Sequence, residues 1–327
     1  MPAFVSIPAS DAELIPVTGH DGLRLHLYRL RASREGGPVI LLGHACGFAA
    51  GSYLPLLQTL AKEADVYAFD ARGHGGSEAK LPHGAGCAPA DYARDIVCLA
   101  TAVAERTKKP IHYVGHSLNA AAMLHLGACL PELMRAIRWN GLLLFEPPVF
   151  PSAERPERTE CMEKDVKLVQ RTRQRRERFG NPEELVALLT GRGLFRALSR
   201  DYLVAHVHAT LRPDGDAWTL ACPPAVEAAT FAAFGDDTTF RALGDFPAEI
   251  PVHLVGGDPD SGSDRNWTTI MAPVLAERLG EGTSKRRFTQ LRNRGHLMVQ
   301  EDPGTTLDLI RGLLQTPDFP AHEAVRG

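Results

Sequence analysis

Residues 111 to 122 read Ile-His-Tyr-Val-Gly-His-Ser-Leu-Asn-Ala-Ala-Ala, and the change of pattern inside this stretch decides the architecture. A β-branched and aromatic run gives way to Gly115-His116-Ser117-Leu118-Asn119 and then to alanines, which predicts a buried strand, a tight turn carrying one serine, and a helix. A serine hydroxyl is a weak nucleophile. An enzyme that uses one must expose it beside a base and aim backbone N–H groups at the oxyanion it generates. A strained strand-to-helix turn can do both. Gly115 and the residue two after Ser117 should be small, because the turn pushes strand and helix together. Asn119 stands at that second position, so it either fits through a local hydrogen bond or points where a substrate would feel it.

Upstream, residues 38 to 48 (Pro-Val-Ile-Leu-Leu-Gly-His-Ala-Cys-Gly-Phe) form a continuous apolar run followed by a turn, as expected of a strand buried on both faces. Asp65 to Asp70 gives another strand, closed by Ala-Arg-Gly-His-Gly-Gly-Ser at 71 to 77. Downstream, the strand Gly141-Leu-Leu-Leu-Phe ends on Glu146-Pro-Pro, and a strand at 252 to 255 runs into Gly256-Gly257-Asp258-Pro259-Asp260. A strand-like stretch at 285 to 291 leads to Asn293-Arg294-Gly295-His296 and a helix opened by Asp302-Pro303. Helices at 53 to 63, 90 to 107 and 118 to 130 alternate with these strands, which predicts an α/β fold with a mostly parallel sheet flanked by helices. Residues 13 to 18 and 23 to 31 suggest a hairpin around Gly19-His20-Asp21-Gly22.

Taken together, the serine turn, the Gly43-His44 loop, the Arg72-Gly73-His74-Gly75-x-Ser77 turn and the Gly295-His296 pair resemble the α/β-hydrolase fold superfamily in its serine, esterase-like branch, over roughly residues 11 to 315 apart from a variable middle. The resemblance implies Ser117 as nucleophile and His296 as general base. It also implies an oxyanion hole formed by the N–H groups of Cys46 and Leu118, with Ala45 where the family usually has glycine, and makes the turn at 71 to 77 a structural landmark. The triad acid stays open among three residues. Counting three from Gly257 selects Asp260, ranked first; Glu146, at the end of the strand after the nucleophile helix, is the other main candidate; Asp258 competes because counting across Gly-Gly and Pro is fragile. Serine, acid and histidine then follow the family's chain order. A serine at the elbow, in place of a carboxylate, argues against haloalkane dehalogenase and epoxide hydrolase chemistry.

After Pro147-Pro148 the strand–helix alternation stops until Ile250. Residues 151 to 246 therefore read as a helical cap over the carboxyl ends of the strands, where ligands bind in open α/β sheets, inserted between core segments 1 to 150 and 247 to 327. Tyr202, Trp218, Phe231 and Phe234 are its candidate pocket aromatics. His206 and His208 read as ordinary cap histidines, the arginines at 171 to 178 as a solvated helix face, and the Cys46 thiol as a neighbour of the pocket open to alkylation.

Composition sets the outer limits. With 327 residues, 44% hydrophobic and 23% charged, the chain has an ordinary globular make-up, and its formal charge of -3 gives no basic face for nucleic acid. The six cysteines at 46, 87, 98, 129, 161 and 222 lack CxxC spacing, which argues against a zinc site or disulfide framework and for a reducing compartment. The first residues lack a signal-peptide pattern, and no apolar run approaches the ~20 residues that span a bilayer. The expectation is a cytoplasmic serine hydrolase, without metal or organic cofactor, acting on a small-molecule acyl substrate such as a carboxylic ester, with homo-oligomerisation left open. An acyltransferase, a perhydrolase, a C–C bond hydrolase and a non-hydrolytic binding relative are the alternatives on the same fold.

Overall fold

The computed structural model describes residues 4–78, 87–258, 267–280 and 284–315. Within them the strands are β1 (Ala12–Thr18), β2 (Arg24–Leu30), β3 (Val39–Gly43), β4 (Asp65–Asp70), β5 (Ile111–His116), β6 (Trp139–Phe145), β7 (Arg178–Phe179), β8 (Leu211–Asp214), β9 (Ala217–Leu220), β10 (Val252–Gly256) and β11 (Arg286–Gln290). Helices α1 (Leu54–Ala61), α2 (Pro89–Thr107), α3 (Leu118–Cys129) and α4 (Pro131–Arg135) fall between β3 and β6. Helices α5 (Arg158–Arg173), α6 (Pro182–Leu189), α7 (Arg200–Thr210), α8 (Pro224–Ala233) and α9 (Thr238–Ala242) fall between β6 and β10, and α10 (Trp267–Leu279), α11 (Met298–Glu301) and α12 (Pro303–Gln315) follow β10.

Eight strands form one sheet in the order β1-β2-β4-β3-β5-β6-β10-β11. The β1–β2 hairpin is antiparallel and joins β4 antiparallel; every later pairing is parallel. The period-2 alternation of a strand sorts its side chains between two cores. Leu41, Phe69, Tyr113 and Leu144 pack beneath Ile96 and Leu99 of α2 and Met123 of α3. Ile40, Val66, Val114 and Leu143 face the opposite way, against Leu57 and Leu60 of α1 and Ile310 and Leu313 of α12. Both faces are covered, and that is why β3, β5 and β6 read as unbroken apolar runs.

The landmark turn after β4 is held by buried polar groups. Asp70 accepts from Ser6 Oγ at 2.7 Å, Tyr28 OH at 2.9 Å and the N–H groups of Ala50 and Gly76 at 2.9 Å each. Arg72 clamps Asp95 of α2 through Nε at 2.7 Å and Nη2 at 2.9 Å. Each charge in that pair has its partner, the condition for burying ions without a large penalty.

The inserted stretch between β6 and β10 corrects the all-helical expectation. Beside its five helices it carries a small antiparallel sheet in the order β7-β9-β8. Gly215, at φ +62°, turns β8 into β9. Pro213 reads in sequence as a break, yet it lies on β8, at the edge, where a missing N–H costs no ladder bond. No described helix is long and apolar enough to cross a membrane.

Asp165 of α5 is buried, and burial alone pushes its carboxyl up to about 6. The folded-state value thus lies above the unfolded one, so the associated stability is full below pH ~4 and is lost as pH rises through about 6. Asp165→Asn is expected to melt a few degrees higher than the parent at pH 7 and equally near pH 4. A lower melting temperature at pH 7 would show the carboxylate to be engaged.

Candidate active site

The turn between β5 and α3 is strained as the sequence requires. Ser117 sits at φ 51°, ψ -112°, outside the regions that side-chain-bearing residues favour, and it is held there by its N–H to Phe145 O at 2.8 Å and its carbonyl accepting from Ala121 N at 2.9 Å. Asn119 is buried and fits through a local bond: Nδ2 donates to His44 O at 2.7 Å, and Tyr113 OH donates to Asn119 O at 3.1 Å. Room for this asparagine comes from Gly43, where a Cβ would lie 2.6 Å from Asn119 Cβ.

Ser117 Oγ lies 3.0 Å from His296 Nε2, and His296 Nδ1 lies 2.8 Å from Glu146 Oε2. Glu146 follows β6 at φ 42° and is fully buried. Three donors converge on its carboxylate: Gly257 N–H on Oε1 at 2.7 Å, and Thr268 Oγ–H at 2.6 Å together with His296 Nδ1–H on Oε2. A Cβ at Gly257 would lie 3.0 Å from Glu146 Oε1 and 2.5 Å from Arg294 O, so the absence of a side chain at 257 lets the backbone just after β10 approach Glu146. Asp258 instead accepts from Asn293 N–H at 3.2 Å. Asp260 lies outside the described residues. With Nδ1–H committed to Glu146, Nε2 is left to accept the Ser117 proton, the tautomer a general base needs.

The loop after β3 forms the opposite wall. His44 Nδ1–H donates to Ala45 O at 2.7 Å while Nε2 accepts from Ala71 N–H at 2.9 Å, and burial lowers its pKa to about 3. The neutral imidazole is therefore a brace for this loop. Ala45 N–H donates to Tyr53 OH at 3.1 Å, Tyr53 OH donates to His116 Nδ1 at 2.6 Å, and His116 Nε2–H donates to His296 O at 2.8 Å. This relay ties the β3 loop to the backbone of His296 through the residue before the serine; nothing in the spacing of Tyr53 signals it. Among the described residues neither the Cys46 nor the Leu118 N–H has a protein acceptor. The Cys46 thiol is buried, 3.8 Å from His74 Nε2, and burial pushes its pKa well up. The thiol borders the cavity, as the sequence-based reading places it, while its burial makes it a weak nucleophile.

A cavity of about 400 Å³ opens beside Ser117 and His296. Of the four candidate aromatics only Phe231 lines it; Phe48 and Trp267 complete the aromatic wall. Tyr202 packs into the core below α1, Trp218 packs on β9 against the small insertion core, and Phe234 lies 5.8 Å from Tyr92. His206 is wedged between Phe48 and Phe195 at 4.3 and 5.0 Å, and His208 is exposed. The arginine cluster is exposed, but its members have different neighbours. Arg175 pairs with the buried Glu227, Arg176 with Glu184, Arg178 with Asp214, and Arg171 lines the cavity. Thr268, missed in the sequence, also approaches His296 Nδ1 at 3.1 Å.

A family model described as the alpha/beta hydrolase family matches residues 39–309. Among curated proteins the chain is similar to protein phosphatase methylesterase 1 of Mus musculus, at 28% identity over 128 residues, covering 38% of this chain and 31% of that protein. The Bos taurus protein of the same name is 26% identical over 144 residues, covering 40% and 36%. The chain thus spans about a third of the length of these relatives. Among solved structures, an E-2-(acetamidomethylene)succinate hydrolase superposes with a TM-score of 0.74 at 20% identity, covering 93% of this chain and 100% of that one. A thermophilic esterase from Thermogutta terrifontis gives a TM-score of 0.62 at 19% identity, covering 93% and 99%.

Proposed function

We propose that this chain, which belongs to the alpha/beta hydrolase family, is a serine hydrolase that cleaves a carboxylic ester or a related acyl bond through an acyl-enzyme. The observation that carries this reading is the continuous hydrogen-bonded series Ser117–His296–Glu146, with 3.0 and 2.8 Å links. Ser117 Oγ attacks the acyl carbonyl carbon while its proton passes to His296 Nε2. The carbonyl oxygen becomes an oxyanion and takes the N–H groups of Cys46 and Leu118. Collapse expels the leaving group, which receives the proton from His296. Water, deprotonated by the same nitrogen, then releases the acid and restores Ser117. Glu146 holds the ring in orientation and stabilises the imidazolium at each transfer.

Turnover of p-nitrophenyl esters from acetate to octanoate tests this reading. Hydrolysis at a stoichiometric excess over enzyme is expected, and its absence across esters and the matching thioesters would overturn it. The oxyanion role of the β3 loop has its own test. Gly47 is at φ +75°, and a Cβ there would lie 2.5 Å from Glu227 Oε1, itself held by Arg175 Nη1 at 3.2 Å. Gly47→Ala must move the loop or the ion pair. It is expected to lower kcat by about 10–100-fold by misplacing the adjacent Cys46 N–H; an unchanged kcat would remove that donor from the account.

A further inference from the structure

The cavity beside Ser117 has a charge pattern that ester chemistry alone does not require. Lys164, Lys167 and Arg171 all line it, together with Leu168, at the i, i+3, i+4 and i+7 spacing that places residues on one face of α5. Among the described residues its wall holds no carboxylate, although the chain as a whole is acidic, with a formal charge of -3. Lys164 is paired with Glu160 at 3.2 Å. Lys167 and Arg171 have no carboxylate partner among the described residues, whereas Arg175 and Arg176 just beyond them are paired. Lys167 lacks one even though Glu163 stands one helical turn before it. Lys167 and Arg171 are exposed at the edge of the cavity, beside the apolar side chains of Leu194, Phe231 and Trp267, which lower the effective dielectric on that side and strengthen a cation's pull on an anion.

We infer that this hydrolase site takes an anionic acyl substrate, one whose carboxylate or phosphate is held by Arg171 and Lys167 while its acyl carbonyl lies at Ser117. The inference rests on the serine hydrolase reading and adds the substrate class. Arg171 supplies a planar fork suited to either anion and Lys167 a point charge. Both sit at a partly open cavity mouth, so they also raise the local anion concentration, an effect that salt screens.

The test compares kcat/KM for p-nitrophenyl pentanoate and for mono-p-nitrophenyl glutarate, two five-carbon acyl groups with one leaving group, in the parent and in Lys167→Gln, Arg171→Gln and the double variant. The parent is expected to favour the glutarate half-ester by about tenfold or more, chiefly through KM, and the double variant to bring the ratio near one. High salt should compress the parent's ratio in the same direction. A parent ratio at or below one, or a ratio that the double variant does not move, overturns the inference while leaving ester hydrolysis standing. Binding provides an arm that needs no turnover: the Ser117→Ala protein is titrated calorimetrically with glutarate and with propyl phosphate. Binding that Arg171→Gln weakens about tenfold or more supports the site, and whichever anion binds tighter identifies the group. No binding of either, or binding indifferent to Arg171→Gln, refutes it. Anion binding without turnover of any ester would instead refute the hydrolase reading alone.

Discussion

Ser117→Ala is expected to lower ester turnover by roughly 10⁴–10⁶-fold while leaving the fold in place. The loss is large because the proposed mechanism forms its acyl-enzyme on this hydroxyl; without it, what remains is the contribution of the oxyanion donors and of substrate binding. The fold should persist because the bonds that hold the elbow are made by the backbone, with Ser117 N–H to Phe145 O and Ala121 N–H to Ser117 O. Alanine also bears the positive φ of 51° at much the same cost as serine. Turnover and a melting curve on the same preparation check both halves. An unfolded variant would say nothing of chemistry, so Ser117→Cys serves as companion: it keeps a side-chain nucleophile beside His296 and should retain burst labelling by an activated ester. Full activity in the alanine variant would end the covalent-serine reading.

Glu146→Gln is expected to cost about 10³–10⁴-fold in kcat, against less than about tenfold for Asp260→Asn or Asp258→Asn. The carboxylate accepts from Gly257 N–H, Thr268 Oγ–H and His296 Nδ1–H. A carboxamide offers one acceptor oxygen and one donor nitrogen to that set. With its oxygen on Gly257, its N–H₂ faces His296 Nδ1 and selects the tautomer that carries the proton on Nε2, where it cannot take the Ser117 proton. With its oxygen on His296, the N–H₂ opposes the Gly257 N–H in a fully buried site, and an unmet buried donor costs about 1–3 kcal/mol. Parallel measurement of kcat for the three variants decides the acid. A larger loss in Asp260→Asn than in Glu146→Gln would transfer the role to Asp260.

Much of the scaffold is legible in the chain because its causes are local. The apolar runs of β3, β5 and β6 follow from burial on both faces, and Gly115-His116-Ser117 marks the elbow because only a short strand-to-helix turn needs that sequence. The eight-stranded, mostly parallel sheet and the hairpin at its edge match the expectation. The inserted segment is less legible. Its small sheet is built from a two-residue and two four-residue strands, too short for alternation to show, and Pro213 disguises an edge strand as a break. The acid illustrates another limit. Counting from a glycine ranks Asp260, which lies outside the described residues, ahead of Glu146; the strand-end position marks Glu146 as a candidate, but its contact with His296 depends on the register of β6 beside β10, a long-range pairing that local sequence cannot rank. Thr268 and the Tyr53–His116 relay are hidden for the same reason, since their partners lie 122 and 63 residues away in sequence. The arginine run is exposed, as its reading as a solvated face expects, but α5 ends at Arg173, and Arg175, Arg176 and Arg178 beyond it each pair with a different carboxylate, which the charge pattern alone does not signal.

Labelling of the purified protein with a fluorophosphonate, followed by mass mapping of the adduct, tests directly whether Ser117 is an activated nucleophile. The expected result is a single phosphonyl adduct on Ser117, lost in Ser117→Ala and slowed strongly in Glu146→Gln. An absence of adduct, or an adduct that persists in the Ser117→Ala protein, would contradict an activated serine at this site.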